Sequence, residues 1–308
     1  MIDAVALRSL VAVERLGSVG SAAASLGYTP SAVSQQIKKL ETQSGVALLE
    51  KHGRGVMLTE AGRVLVSSAQ DLLSRMEQLE ARLQSTAGRP SGRVRVASFA
   101  TAQRGLVAPA LSRLRDSCPA VAVTLTEAEP WAAVDLVASG SVDLAVVHNW
   151  EPLPLALPDH VASRPLGADV ADVLVWAGHP LAGRRSVTPA DLAEEHWVSV
   201  APGSICHQWL TKMLHDIGRA PQIDCFAQEF SSHIALVEQG LAIGLVPRLG
   251  RGPLPEGVVA VPVANPVPTR GVSAIWRATM SASPALTAVV DALADAGAVL
   301  EHPAGDAP

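Results

Sequence analysis

At 308 residues, 48% hydrophobic and 17% charged, the chain has material for two or three cores of roughly 100–200 residues each, and its composition excludes general disorder. It has no run of about 18 uncharged apolar residues, so no membrane span is expected. The opening Met1-Ile2-Asp3-Ala4 is unlike a signal peptide, so a cytoplasmic location is expected. Cys118, Cys206 and Cys225 are too few and too scattered for a disulfide framework or a Cys-rich zinc site. The net charge of −5 is uneven: residues 1–90 carry ten Lys/Arg against eight Asp/Glu, and residues 91–308 fourteen against twenty-one. A polyanionic partner therefore suits the front of the chain and not the back.

The first sixty residues read as short-looped helices. Leu7, Leu10 and Val11 form one apolar helical face, and Val19, Ala22, Ala23 and Leu26 a second. Gly27-Tyr28-Thr29-Pro30 breaks the pattern: Thr29 suits an N-cap, and Pro30 the first helical position, where its missing N–H costs nothing. A third helix is predicted from about Pro30 to Gln43, with Val33, Ile37 and Leu40 inward and Ser31, Ser34, Gln35 and Lys38 outward. Lys51-His52-Gly53-Arg54-Gly55-Val56 reads as a tight hairpin with a basic tip. Thr59 caps a long helix predicted to about Thr86. Its Leu65, Leu72 and Leu79 repeat every seven residues, interleaved with Ala69, Met76 and Leu83, a seam that fits dimerisation or packing within one subunit, dimerisation being favoured. Gly88 to Gly92 reads as a linker.

From Arg93 strands and helices alternate. Strands are predicted at Val94–Ser98, Val121–Glu127, Leu144–His148, Asp172–Ala177, Trp197–Val200, Ile223–Gln228, Ile243–Pro247, Val258–Val263 and Val272–Arg277. Helices are predicted at Gly105–Asp116, Ala132–Ser139, Cys206–Ile217, Ser232–Glu238 and Pro284–Ala296, ahead of a loose Gly/Pro/Asp tail. This order implies α/β subdomains with mainly parallel sheets.

In a helix-turn-helix, one helix packs tightly across the next so that the second can enter a major groove. Ala22, Ala23, Gly27 and the capped helix from Pro30 meet that need. Gln35 has the geometry to bond adenine in two places, Ser31 and Ser34 can reach bases or phosphates, Lys38 and Lys39 suit phosphates, and Arg54 suits a minor groove. A small helical bundle with polar faces has the same pattern.

The stretch GSVGSAAASLGYTPSAVSQQIKKLETQSGVALLEKHGRGVMLTEAG, Gly17 to Gly62, resembles the DNA-binding region of the LysR-type transcriptional regulators almost residue for residue. Gly140-Ser141-Val142-Asp143-Leu144-Ala145, Gly178-His179-Pro180-Leu181-Ala182 and Gly240-Leu241-Ala242-Ile243-Gly244-Leu245-Val246-Pro247 are similar to more generic landmarks of that family. The resemblance implies an α+β multidomain protein: an N-terminal winged helix-turn-helix (1–58), a long dimerising linker helix and hinge (59–91), and a two-lobed α/β effector domain resembling a periplasmic binding protein (92–298). A flexible tail covers 299–308. Lobe one would take about 92–163 and 266–298, and lobe two about 164–265. The implied partners are double-stranded DNA carrying an inverted repeat, a small-molecule effector, further copies of the chain as a homodimer or homotetramer, and RNA polymerase; no cofactor and no metal are implied. By matched position, base and backbone contacts fall to Pro30, Ser31, Ser34 and Gln35, with the wing contact at Arg54; Thr29, at the cap of the same helix, is a further DNA-contact candidate. Gln35 stands where the family often has a basic residue, Leu49 where Phe is frequent and Lys51 where Arg is frequent.

Two lobes joined by crossing strands leave a cleft for a ligand. Candidates to line it are Ser98, Phe99, Thr101, Glu129, Trp131, His148, Ser204, Ile205, Glu229 and Phe230, each also readable as a surface or core residue. An enzyme is the rival from another class: Gly203-Ser204-Ile205-Cys206-His207 brings a hydroxyl, a thiol and an imidazole together in sequence, without the Gly-x-Ser-x-Gly elbow. Cys206, His207 and His215 lack usual metal-ligand spacing. A DNA-binding repressor with no effector fits the same residues.

Overall fold

The computed structural model describes residues 2–53, 55–85, 89–150 and 153–301. At the front, helices α1 (Ala4–Leu16), α2 (Val19–Leu26) and α3 (Pro30–Ser44) precede a hairpin of β1 (Leu49–His52) and β2 (Gly55–Leu58) and the long α4 (Glu60–Ser85). Side chains of Asp3, Ser18 and Thr29 accept bonds from first-turn amides of α1, α2 and α3, each satisfying a donor the helix cannot pair itself. Gly27 ends α2 at φ +70°, the left-handed conformation that costs a glycine nothing. Leu7, Leu10, Ala22, Ala23, Val33, Ile37, Leu40 and Leu48 close one core. Gly62 lies so close to this core that an added Cβ would meet the Leu48 carbonyl oxygen at 2.3 Å. Thr59 ties the same corner, its hydroxyl donating to the Ala47 carbonyl at 2.7 Å and accepting from the Gly62 amide at 3.0 Å. That geometry accounts for the threonine and glycine spacing in Leu58-Thr59-Glu60-Ala61-Gly62.

Behind α4 lie β3 (Gly92–Ser98), α5 (Ala100–Ala102), a π-helical turn (Gln103–Val107), α6 (Ala108–Ser117), β4 (Val121–Glu127), α7 (Pro130–Ala138), β5 (Leu144–Trp150) and β6 (Val161–Trp176). Next come β7 (His196–Ser199), α8 (Ile205–His215), β8 (Gln222–Phe226), α9 (Phe230–Glu238), β9 (Ile243–Pro247), β10 (Val258–Pro262), β11 (Thr269–Arg277) and α10 (Pro284–Gly297). The strands form one sheet in the order β4-β3-β5-β11-β6-β9-β7-β8, with β10 also on β6. Every strand expected from the sequence forms, but the expectation of mainly parallel sheets is corrected. β3/β4, β3/β5, β7/β8 and β7/β9 are parallel, whereas every pairing made by β6 and β11 is antiparallel. Those two strands carry the chain between the halves of the sheet and back, so they run against their neighbours. The first half of β6 is missed because Arg164, Pro165 and Gly167 interrupt its apolar pattern. The register slips at Val272/Ser273, opposite Leu166, a bulge that sends Leu166 into the core.

Each half of the sheet has its own core. Val94, Val96, Leu106, Leu144, Val146, Leu286 and Val289 fill one, and Val173, Val175, Leu192, Trp197, Leu210 and Leu214 the other. The halves also interlock: Trp150, from β5, packs within the second core at 5.0 Å from the ring of Trp209, and Leu249, after β9, packs within the first. Helix α4 docks on the first half. Glu77 of α4 accepts from Arg277 Nη2 at 2.7 Å and from its Nε at 3.1 Å, and from Thr279. Arg277 also donates to the carbonyls of Val137 and Val142, and Ser283 to Gln84 at 3.2 Å. One face of the linker helix is therefore covered by its own chain.

Candidate functional sites

The buried stripe Val33, Ile37 and Leu40 orients α3, and Ser9 donating to Gln36 Oε1 at 2.5 Å locks it across α1. Thr29, Pro30, Ser31, Ser34, Gln35 and Lys38 are exposed on the outward side. Thr29 and Ser31 share a hydroxyl–hydroxyl bond of 3.0 Å. Ser34, Gln35 and Lys38 have no side-chain partner among the described residues, so a row of hydrogen-bonding groups and one cation faces outward unspent. Lys39, also exposed, pairs at the surface with Asp3 of the α1 cap at 2.8 Å. Arg54 lies outside the described residues. The structure adds Tyr28, 44% exposed beside Thr29, and exposed Lys51 and His52 on the hairpin. A single tyrosine within the turn between α2 and α3 was the available signal for the first.

The proposed dimer seam divides. Leu65 and Ala69 pack into the core of α1–α3, which corrects their assignment: an early-turn residue of α4 faces the helices it follows. Leu72, Met76, Leu79 and Leu83 are 48%, 36%, 58% and 61% exposed, as is Val64 at 62%. They form an apolar stripe on the face of α4 opposite Glu77 and Ala81.

Between the two halves of the sheet lies a narrow cleft whose ≈ 450 Å³ of empty space includes open solvent. Of the ten residues expected there, Phe99, Thr101, Glu129, His148, Ser204, Glu229 and Phe230 line it. Three do not. Ser98 is fully buried and donates to the Phe99 carbonyl, Ile205 sits in the second core, and Trp131 is 42% exposed outside the cleft. Strand and helix starts locate a cleft well, but alternation decides which neighbouring side chain enters it. Arg104, Val200, Cys206 and Arg270 are lining residues the sequence did not disclose.

Arg270 dominates the floor. It is 1% exposed, pairs with Asp169 through Nε and Nη2 at 2.9 and 2.8 Å, and donates from Nη2 to Thr101 Oγ1 at 2.8 Å. Its guanidinium lies 5.0 Å from the Phe99 ring centroid and 5.8 Å from that of Trp150. His148, edge-on to Phe99 at 4.6 Å, is held neutral well below the usual imidazole range by burial and then by Arg270. Its Nδ1 is buried without a partner among the described residues. Glu129 stands at the start of α7, its carboxyl raised by desolvation and partly steadied by Arg270. Glu229, at the start of α9, lies 3.9 Å from Arg104.

The residues that invited an enzymatic reading do not converge. Ser204 Oγ accepts from the His207 amide at 3.2 Å, His207 Nδ1 instead meets Ser199 at 3.2 Å, and burial pushes the Cys206 thiol up, away from the reactive thiolate. Among the described residues no group of three His, Cys, Asp or Glu is placed to hold a metal, and no helix is long and apolar enough to cross a membrane.

A short helix pair presenting a polar helix, followed by a two-part sheet around a polar cleft, defines a DNA-binding regulator with a sensing domain. Residues 5–63 match the bacterial regulatory helix-turn-helix protein family, lysR type, and residues 87–298 match the LysR substrate binding domain. The chain belongs to the LysR family of DNA-binding transcriptional regulators. It is 28% identical over 292 residues to the probable HTH-type transcriptional regulator LrrA of Synechococcus elongatus, covering 93% of this chain and 95% of that one. It is 35% identical over 197 residues to the small neutral protease regulatory protein of Streptomyces coelicolor, covering 62% and 61%. In fold it is similar to a full-length OxyR variant from Pseudomonas aeruginosa (TM-score 0.69, 21% identity, 96% and 98% coverage). The same holds for full-length BenM (TM-score 0.60, 24% identity, 98% and 99% coverage). These relatives are regulators, not enzymes, and regulators of this family bind DNA and small-molecule effectors and are oligomeric.

Proposed function

We propose that Ser31, Ser34 and Gln35 read base edges in the major groove, that Thr29, Pro30 and Lys38 set register on the phosphates, and that Arg54 reaches the adjacent minor groove. The carrying observation is the unspent outward row on α3, opposite the Val33/Ile37/Leu40 stripe. The DNA is an inverted repeat, bound by a homodimer or homotetramer joined through the exposed stripe of α4, in the cytoplasm. RNA polymerase is a further contact when the chain activates. A small effector binds the cleft between the lobes, one spanning about 92–163 and 266–298 and the other about 164–265. Strand β11 carries Arg270 in the cleft at one end and Arg277 on the linker helix at the other. A shift of that strand on effector binding reaches Glu77, and through α4 the spacing of the DNA-reading helices.

Titration of Gln35→Ala against operator and random DNA tests the reading. Specific binding should weaken about 10- to 100-fold, a loss of about 1–3 kcal/mol, with low-salt binding to random DNA unchanged. Equal losses on both DNAs would remove Gln35 from base readout.

A further inference from the structure

The charged groups that line the cleft are not all paired. Asp169 answers Arg270 at 2.8 Å, and Glu229 lies 3.9 Å from Arg104. Glu129 has no ion pair among the described residues, yet it lines the same space and has lost part of its water. Of the charged groups that line the cleft, Arg270 and Arg104 each have a carboxylate partner and Glu129 has no cation of its own, so a ligand bearing only negative charge would meet an unanswered carboxylate there.

The floor has the opposite need. Thr101 Oγ1 accepts from Arg270, and Ser204 Oγ accepts from the His207 amide, so each hydroxyl keeps its own proton to donate. Among the described residues Arg270 bonds Asp169 and Thr101 through Nε and Nη2, which leaves Nη1 for a further acceptor. His148, neutral and 3% exposed, adds a buried Nδ1 with no partner, a polar atom that a folded protein rarely leaves unmatched. Phe99, Phe230 and Val200 supply apolar wall between floor and mouth.

We propose that the effector is a small zwitterion of the amino-acid class, its carboxylate meeting Arg270 Nη1 and the Thr101 hydroxyl and its ammonium meeting Glu129. This rests on the reading of the cleft as the effector site.

The test uses the full-length protein and the proteinogenic amino acids as probes, each beside its N-acetyl derivative and the matching 2-oxo acid. Thermal shift finds binders, because a ligand bound only by the folded state raises its stability, and calorimetry gives affinities. At least one free amino acid should bind, with both derivatives about tenfold weaker or worse, as expected on losing a charge-assisted hydrogen bond. Glu129→Gln, an exposed position whose fold is checked by circular dichroism, should weaken the amino acid by a similar factor and leave the 2-oxo acid unchanged or tighter. A 2-oxo acid binding as tightly as its amino acid, an unchanged amino-acid affinity in Glu129→Gln, or no binder in the panel overturns the proposal. Ala100→Phe, which fills the cleft without removing a hydrogen bond, separates the two levels. If it keeps operator binding and still binds the amino acid like the wild type, the cleft reading itself fails.

Discussion

Arg270 and Asp169 bury a full ion pair, 1% and 3% exposed in their side chains, at the point where the sensing cleft meets the strands joining the two halves of the sheet. Removing one partner strands the other charge, so Asp169→Asn should cost about 3–5 kcal/mol in urea unfolding; a loss below about 1 kcal/mol would mean that water reaches the guanidinium. His148 makes a second residue-scale prediction. Its imidazole titrates well below the ordinary range when folded, so below about pH 6.5 the unfolded chain binds a proton that the folded chain does not. Its contribution is therefore full above that pH and is lost as the pH falls toward the folded value, by up to about 1.4 kcal/mol per pH unit. His233, also lowered by burial, acts in the same direction. Unfolding of the wild type and His148→Gln between pH 5 and 7.5 should show a shallower fall in the variant; parallel curves would contradict a neutral buried His148. Neither residue's role was legible in full. His148 closes an apolar run and invited attention, whereas Arg270 sits in Pro268-Thr269-Arg270-Gly271, where nothing local separates a buried guanidinium from a surface one. Its partners are 101 and 169 residues away in the chain.

At the scale of elements, α3 was legible nearly whole, because cap, proline and apolar spacing agree from Thr29 to Leu40. Helix α4 was legible as a helix but not in its allegiances. The heptad pattern joins Leu65 and Ala69 to Leu72, Met76 and Leu79, yet the first two serve the core of α1–α3 and the others stand exposed. One periodicity cannot tell buried turns from exposed ones when the helix leaves the domain it starts in. Leu72→Arg, at a 48% exposed position, should leave helix content unchanged and halve the mass seen by light scattering, since an unpaired charge is costly only where a partner subunit covers it. A folded variant of wild-type mass would place the interface elsewhere. The opposite face of α4 makes its own prediction. Glu77 and Arg277 are 19% and 9% exposed, so a double-mutant cycle with Glu77→Gln and Arg277→Gln should show a coupling of about 0.5–3 kcal/mol. Strict additivity would mean that the linker helix does not dock in solution.

At the scale of the molecule, the two halves of the sensing sheet are pinned as well as hinged. Trp150 sits 1% exposed within the core of the other half, and the Leu249 amide donates to Asp169 at 2.9 Å. A ligand in this cleft must act by a small shift along β6 and β11, because wide opening would expose both contacts to water. The alternation of strands and helices disclosed α/β subdomains and the family resemblance implied two lobes, but the sense of β6 and β11, and with it the interlock, depends on pairings between segments about a hundred residues apart, which local pattern does not encode. Whether α3 reads a specific sequence is decided by selecting sites from fragmented genomic DNA with the purified full-length protein. Enriched fragments should share an inverted repeat, with half-site centres about 10–10.5 base pairs apart or a multiple of that, and Gln35→Ala should lose that enrichment while still holding random DNA at low salt. Enrichment without a common motif, or the same motif recovered equally well by Gln35→Ala, would contradict sequence reading by α3.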